Sequence, residues 1–407
     1  MTPARTAMVT SVAAFVAAAV IAVIAVPWDA GVAPWADLDA AMLSEFTTEQ
    51  IASITAFAAA AWPPGVLGLL AGPLAAVTVF LIPAVRRRTM AIGSRGTSGT
   101  GRAVVRDVLV AGVVLTIVRL AALPFAVWSA QVRRDAGLLV EPWGNWWLRW
   151  TGESIAYVVL GAVAIAAGLA VLRRWPRRGW VAVTAGAAIA ILAVTALLPL
   201  MQRIEGTTAD PALTARVLEI ADRAGVDVGS VTVIAVADTS PAVNANVSGW
   251  GPTRTVTVYD TVSATMSDAE IDALIAHELI HARDADAVLG AVLATLGGVG
   301  VVALACGLVL SSRVRDWLGG SGGVPMVGAG LLTASLAATV VGANISRSIE
   351  ARADREALAL TGDSQAYRDL IVRLAITNRS TLTPAQWRYA LLFTHPTPLQ
   401  RLAALKR

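Results

Sequence analysis

Seven long runs of apolar residues set the strongest limit on the fold of this 407-residue chain. A helix needs about 20 mainly apolar residues to cross the hydrocarbon core of a bilayer. Within that core each backbone N–H and C=O must be satisfied inside the segment, so such runs predict helices. We expect a polytopic α-helical membrane protein with about seven spans. The predicted spans are residues 7–27, 62–85, 107–129, 152–172, 179–200, 287–310 and 324–345.

Charge content supports a membrane protein and excludes other classes. Only 15% of the residues are charged, whereas soluble domains carry about 25%. The net charge of +4 would suit nucleic acid, but the arginines lie in short clusters between apolar runs, as in membrane loops. The lipid bilayer is therefore an expected partner and nucleic acid is not. The single cysteine, Cys306, excludes an intrachain disulfide and a cysteine metal site.

Two polar stretches interrupt the predicted spans and divide the chain into four parts. Residues 1–200 are a five-span region, 201–286 a polar insertion, 287–345 the sixth and seventh spans, and 346–407 a polar tail. The insertion and the tail contain the residues able to do chemistry. We expect them to assemble into one α+β unit.

The polar insertion alternates helical and strand patterns. A helix is predicted over 211–224, and β-rich runs follow at Ser230–Ala237 and Thr253–Tyr259. Ser267-Asp268-Ala269-Glu270 is a capping box that begins the next helix. In the tail, short amphipathic helices are predicted near 348–361, 365–377 and 398–406.

Arginines in the short loops predict the orientation, because cytoplasmic loops are enriched in them. With a cytoplasmic N-terminus, thirteen arginines lie in inside segments and three in short outside loops. Seven crossings then place both polar regions on the extracytoplasmic side of the cell membrane. One span more or fewer would invert this orientation.

The sequence His277-Glu278-Leu279-Ile280-His281 predicts a metal site. Histidines four residues apart on a helix present both imidazoles on one face, where they can share one tetrahedral Zn²⁺. Glu278 lies on the adjacent flank, where it can take a proton from water that the metal acidifies. The alternative, ordinary helix-surface residues, requires this spacing to arise by chance among three histidines.

A catalytic zinc site needs a third protein ligand, and a carboxylate is favoured here. Glu350 is the first choice, with Asp284 and Glu356 as fallback ligands. Asp354, one turn after Glu350, could accept a hydrogen bond from a ligating imidazole and fix its orientation. The alternative is a solvated helix face on which arginines neutralise Glu350 and Asp354. Those arginines are Arg347, Arg352 and Arg355.

Four motifs in this order resemble the integral-membrane zinc peptidases of the type I CAAX prenyl endopeptidase family, which includes bacterial quality-control proteases. The resemblance covers about residues 230–407. The motifs are Asn244-Ala245 followed by Gly249; Tyr259-Asp260-Thr261 leading into the two-histidine motif; Glu350 to Asp354; and Thr394-His395-Pro396 with Arg401-Leu402.

This resemblance implies a gluzincin-like α+β domain with one Zn²⁺ per chain. The expected activity is hydrolysis of peptide bonds in membrane-associated, prenylated-like or misfolded proteins. It implies that Glu350 is the third ligand, supported by Asp354. His395 would stabilise the oxyanion, Asn244 would bind the substrate backbone, and Arg401 would brace the catalytic carboxylates.

The sequence indicates less specifically how a substrate is bound and what surrounds Arg119. The strand Thr253–Tyr259 is expected to be an edge strand that receives the substrate as an added strand. Asn246 stands where an aromatic residue is expected in prenyl endopeptidases, so an equivalent substrate is not implied. Arg119, costly within the third span, should face a wet chamber or pair with Glu153.

A non-catalytic zinc-binding membrane scaffold or transporter is the alternative function. The intact Glu278 argues against it, because a purely structural metal site needs no base.

Overall fold

The computed structural model describes residues 1–33, 43–92, 100–317 and 323–405. In chain order its helices and strands are α1 (Pro3–Ala25), α2 (Thr48–Leu81), α3 (Pro83–Ile92), α4 (Thr100–Asp135), α5 (Trp143–Arg174), α6 (Gly179–Glu205), β1 (Thr207–Thr208), α7 (Pro211–Ala224), β2 (Ser230–Ile234), β3 (Ala245–Ser248), β4 (Thr255–Tyr259), α8 (Asp260–Thr265), α9 (Asp268–Arg283), α10 (Asp286–Leu310), α11 (Ser312–Trp317), α12 (Gly323–Thr361), α13 (Ser364–Thr377), α14 (Gln386–Leu392) and α15 (Pro398–Ala404).

Seven helices within the described ranges are long and apolar enough to cross a membrane, which confirms the predicted fold class. They are α1, α2, α4, α5, α6, α10 and α12. Small residues allow close packing of α1 on α10, as is common between helices in lipid. A Cβ added at Gly300 would come within 2.8 Å of the Phe15 ring, and Ser11 donates a hydrogen bond to the Gly300 carbonyl at 2.7 Å.

The last span and the first predicted tail helix form one continuous helix. α12 has 39 residues, because no glycine or proline interrupts the polar stretch that follows the apolar run. Asn344 also continues the helix, since its side chain donates to the Val340 carbonyl one turn earlier at 2.8 Å. Glu350 is therefore fixed to a helix that runs into the membrane region.

The small mixed sheet has the strand order β1-β2-β4-β3. β4 pairs with β2 in parallel and with β3 in antiparallel orientation. The expectation that Thr253–Tyr259 is an edge strand is therefore wrong, because β3 covers it. β3 lies between the two predicted β-rich runs, and its hairpin turns at Gly249, whose φ of +82° suits glycine.

A single hydrophobic core joins the polar insertion to the tail. Leu279 and Ile280 of α9 are fully buried beside Val258 of β4 and Leu370 of α13. Burying such a side chain stabilises the fold by about 1.5–3 kcal/mol. α9 begins at the predicted capping box, in which the Ser267 N–H donates to the Glu270 carboxylate at 2.7 Å. This core presses one face of α9 against the sheet.

Arg119 forms no ion pair with Glu153, contrary to one of its two expected environments. Its guanidinium donates to the Ser154 hydroxyl at 3.0 and 2.8 Å and lies 5.2 Å from the centre of the Trp150 ring. Glu153 pairs with Arg149 instead, at 3.5 Å. Hydroxyl and aromatic contacts therefore stabilise the Arg119 charge.

Candidate metal centre

Two imidazoles of α9 and one carboxylate of α12 converge on a single point. The Nε2 atoms of His277 and His281 lie 3.2 Å apart. Glu350 Oε2 lies 3.1 Å from Nε2 of His277 and 3.8 Å from Nε2 of His281. One donor atom of each residue lies within 4.8 Å of the others. Two nitrogens and one carboxylate oxygen suit a zinc ion that keeps a fourth position open.

Asp354 and Arg401 lie behind His277, on the side away from the other ligands. The His277 Nδ1 atom is 3.0 Å from Asp354 Oδ1, and Arg401 donates two hydrogen bonds to the same carboxylate at 2.8 and 2.6 Å. The Tyr367 hydroxyl, which the sequence interpretation missed, donates to Asp354 at 2.8 Å. A carboxylate in this position holds the proton on Nδ1 and leaves Nε2 free for a metal.

Asp286 supports His281 in the same way, and the sequence did not indicate it. Its Oδ2 atom lies 2.8 Å from His281 Nδ1 and accepts a hydrogen bond from Arg352 at 2.5 Å. Asp286 is the first residue of α10 and follows Ala285, whose φ of +56° is left-handed. The chain reverses sharply there, so a residue beyond the end of α9 returns to its last histidine.

The fallback ligands lie outside the metal cluster. Asp284 pairs with Arg283 at 2.9 Å and with Arg352 at 3.0 Å. Glu356 pairs with Arg283. Of the arginines considered as partners of Glu350 and Asp354, Arg352 pairs instead with Asp284 and Asp286. Asp354 pairs with Arg401. Arg355 contacts a main-chain oxygen, that of Ala30, at 2.8 Å.

His395 and Asn244 lie beside the cluster. The His395 Nε2 atom is 3.2 Å from Glu350 Oε1, and 58% of the His395 side chain is exposed. Arg347, one turn before Glu350, donates to the main-chain oxygens of Tyr389, at 2.9 Å, and of Phe393. It thereby holds the segment that leads into His395. Asn244 is exposed and immediately precedes β3.

Two cavities meet at the metal cluster. A cleft of about 640 Å³ lies between β3, α13 and the segment around His395. A second cavity of about 1170 Å³ lies between α1, α10 and α12 and is lined mainly by small apolar side chains. Asn244, His277, Glu278 and His395 line both. The centre is thus reached from a cleft with a mixed polar and apolar lining and from an apolar space among the spans.

Glu278 has the environment of a general base. Burial raises the pKa of its carboxyl, and the nearby Glu350 charge acts in the same direction, against the lowering effect of His277 and His281. A base is most effective when its pKa lies near the working pH. Glu278 is outside the three-residue ligand cluster, so it is available for proton transfer.

Proton competition should make metal binding depend strongly on pH. Burial lowers the pKa of His277 and His281, but the carboxylates outweigh it and raise these values to about 9 and about 10. A metal binds only the neutral imidazole and must displace these protons. Zinc affinity should therefore rise about 10- to 100-fold per pH unit from pH 7 to 8.5. Competition with a chromophoric chelator measures this. A flat profile above pH 7, typical of imidazoles with a pKa of about 6.5, would contradict it.

Replacing Asp286 should weaken the metal site without removing a ligand. Asp286→Asn removes the charge that orients His281, so zinc affinity should fall about 10- to 100-fold. The matched control is Glu356→Gln, because Glu356 pairs with Arg283 and not with an imidazole. Chelator competition on both purified variants is the measurement. Equal affinities in the two variants would show that Asp286 does not support the metal.

The chain is similar in sequence to known proteases. Residues 207–407 match the sequence profile of peptidase family M48. A protease HtpX homologue of Acaryochloris marina is 30% identical over 217 residues, covering 48% of this chain and 71% of that protein. A homologue of Nostoc punctiforme is 31% identical, covering 48% and 72%. An uncharacterized metalloprotease, YhfN of Bacillus subtilis, is 26% identical, covering 47% and 46%.

The fold is shared with a solved structure. The crystal structure of S. mikatae Ste24p aligns over the whole of both chains with a TM-score of 0.75 and 19% identity. The resemblance stated from the four motifs is thereby confirmed. With its multi-pass membrane region and His-His-Glu metal site, the chain belongs to peptidase family M48 and is a membrane metalloprotease.

Proposed function

We propose that this protein is an endopeptidase that binds one zinc ion per chain. It cleaves extended segments of membrane-associated, prenylated-like or misfolded proteins. The observation that carries the proposal is the position of the ligand cluster and Glu278. They lie where the cleft beside β3 meets the apolar cavity among the spans. A substrate held there can keep an apolar part in the membrane region while its peptide bond reaches the metal.

His277, His281 and Glu350 would hold the zinc ion, which when bound supplies Lewis acidity toward water and a peptide carbonyl. The Glu278 carboxylate takes a proton from the attacking water and later delivers it to the leaving amine nitrogen. His395 Nε2 donates a hydrogen bond toward the charge that develops on the carbonyl oxygen. Asp354 and Arg401 keep the His277 ring fixed during the reaction.

The outer edge of β3, which no strand of the described ranges covers, is the proposed substrate-binding edge. It replaces β4 in this role, because β4 is paired on both sides. Extended peptides add to such an edge through main-chain hydrogen bonds, which favour shape over sequence. The Asn244 side chain, exposed where β3 begins, would bind the substrate backbone.

Digestion of an unfolded protein tests the proposal. Enzyme purified in detergent should cleave denatured β-casein at internal bonds, which mass spectrometry of the new termini would identify. 1,10-Phenanthroline should stop cleavage, and added zinc should restore it. One zinc ion per chain with no cleavage of casein or of an unfolded membrane protein would favour the scaffold or transporter instead.

The active site is proposed to lie on the extracytoplasmic side, on the support of the arginine distribution. Asp222 of α7 and Arg178, which precedes α6, are both exposed, and the orientation places them on opposite sides. In a Cys306→Ser background, a membrane-impermeant thiol reagent should label Asp222→Cys and not Arg178→Cys in intact cells. The reverse pattern would place the site in the cytoplasm.

A further inference from the structure

From Val243 to the end of β3, the main-chain N–H and C=O groups of successive residues point alternately toward β4 and toward the outer edge of the sheet. The Asn244 carbonyl accepts a hydrogen bond from the Tyr259 N–H at 3.0 Å, so Asn244 faces β4. In an antiparallel pair, residues that bond to the partner alternate with residues whose N–H and C=O point outward. The main-chain groups of Val243, Ala245 and Val247 therefore point toward the open edge.

Asn378, which follows the last residue of α13, occupies one of these outward positions. Its Oδ1 atom accepts a hydrogen bond from the Val243 N–H at 3.1 Å. Its Nδ2 atom donates to the Val243 carbonyl at 3.0 Å. A side-chain amide carries the same donor and acceptor as a peptide group. Asn378 thus takes the place of a residue of an added strand.

The change from an occupied to an open edge occurs beside the metal ligands. Val243 and Asn378 line the cleft between β3 and α13. Ala245 and Val247 line the apolar cavity among the spans. Asn244 lies between them and borders both spaces. A substrate strand can therefore pair with the edge on the cavity side, and it meets Asn378 on the cleft side.

We infer that Asn378 determines where a bound substrate leaves the edge of β3. Substrate residues on the cavity side of the cleaved bond pair with the main chain of Ala245 and Val247. Substrate residues on the cleft side do not pair with the strand, because Asn378 already occupies the main chain of Val243. The substrate residue beside Val243 therefore needs no free N–H. The inference rests on the proposed peptidase function. The substrates of this class are extended on the cavity side of the cleaved bond. On the cleft side they can contain proline or other N-substituted residues.

Backbone methylation of a peptide substrate tests this inference. The parent peptide spans a bond that the purified enzyme cleaves in denatured β-casein. Single N-methyl groups are placed at each of three residues on either side of that bond. On one flank, methylation at alternate positions should lower kcat/KM about tenfold, because each methyl group removes a main-chain donor. On the other flank the change should stay within about twofold.

Asn378→Ala provides a second test, because it frees the main chain of Val243. One methyl group that the wild type tolerates, at the residue facing Val243, should then lower kcat/KM about tenfold. Ser380→Ala is the matched control, since Ser380 lines the same cleft, and it should keep the wild-type pattern. The wild-type scan remains decisive even if Asn378→Ala fails to fold.

Two results would overturn the inference. One is equal sensitivity on both flanks of the bond in the wild-type enzyme. The other is a folded Asn378→Ala variant whose scan matches that of the wild type. Failure to cleave any protein would instead refute the proposed peptidase function, so the two failures are distinguishable.

Discussion

Glu278→Gln is expected to lower kcat by at least about a thousandfold while zinc stays bound. Glutamine has the size of glutamate but cannot accept the proton of the attacking water. Glu278 lies outside the cluster of His277, His281 and Glu350, so its replacement leaves all three ligands in place. Turnover of a quenched fluorescent peptide and zinc content by elemental analysis are the two measurements.

Asp272→Asn is the control for this prediction. Asp272 is a carboxylate on the same helix, and it pairs with Arg216 at 2.8 Å, away from the metal cluster. Its kcat should stay within about twofold of the wild type, because exposed ion pairs contribute little. A Glu278→Gln enzyme that turns over at the wild-type rate would exclude Glu278 as the base. Loss of zinc from the Glu278→Gln variant would instead show that Glu278 contributes to metal binding.

Glu350→Gln is expected to release the metal and abolish cleavage. The substitution removes the only charged ligand of the cluster. The two imidazoles that remain, with their Nε2 atoms 3.2 Å apart, do not complete a zinc site on their own. Zinc affinity should fall by more than the roughly 100-fold that loss of an outer hydrogen-bond partner causes. Zinc per chain after dialysis and residual peptidase activity with added zinc measure both effects.

Glu356→Gln is the matched control on α12, since Glu356 was a fallback ligand and pairs with Arg283. It should retain one zinc ion and wild-type activity. If Glu350→Gln kept a full complement of zinc, the third ligand would be a different residue. If Glu356→Gln lost the metal instead, the sequence-based choice between the two acids would be wrong.

Features encoded by neighbouring residues were predictable from the sequence. The seven spans followed from runs of about 20 apolar residues, because such a run satisfies its own backbone within one helix. The start of α9 followed from a capping box that involves residues only three apart. The pairing of His277 and His281 followed from one helical turn. These contacts all lie within four residues along the chain.

The long-range parts of the site were not predictable from those patterns. Proximity of Glu350 to the histidines, 73 residues earlier, rested on the family resemblance, since spacing alone left Asp284 and Glu356 open. Asp286 reaches His281 only because Ala285 adopts a left-handed conformation. No local pattern required that turn.

The sequence alone determined the seven-span class and the pair of histidines, because both depend on contacts between residues at most one turn apart within a helix. The tertiary structure decided which strand forms the open edge. A four-residue segment such as β3 becomes a strand only by pairing with β4. It also decided that Asn378, 135 residues away, occupies that edge at Val243. Such contacts depend on how the whole chain packs, and no local periodicity encodes them.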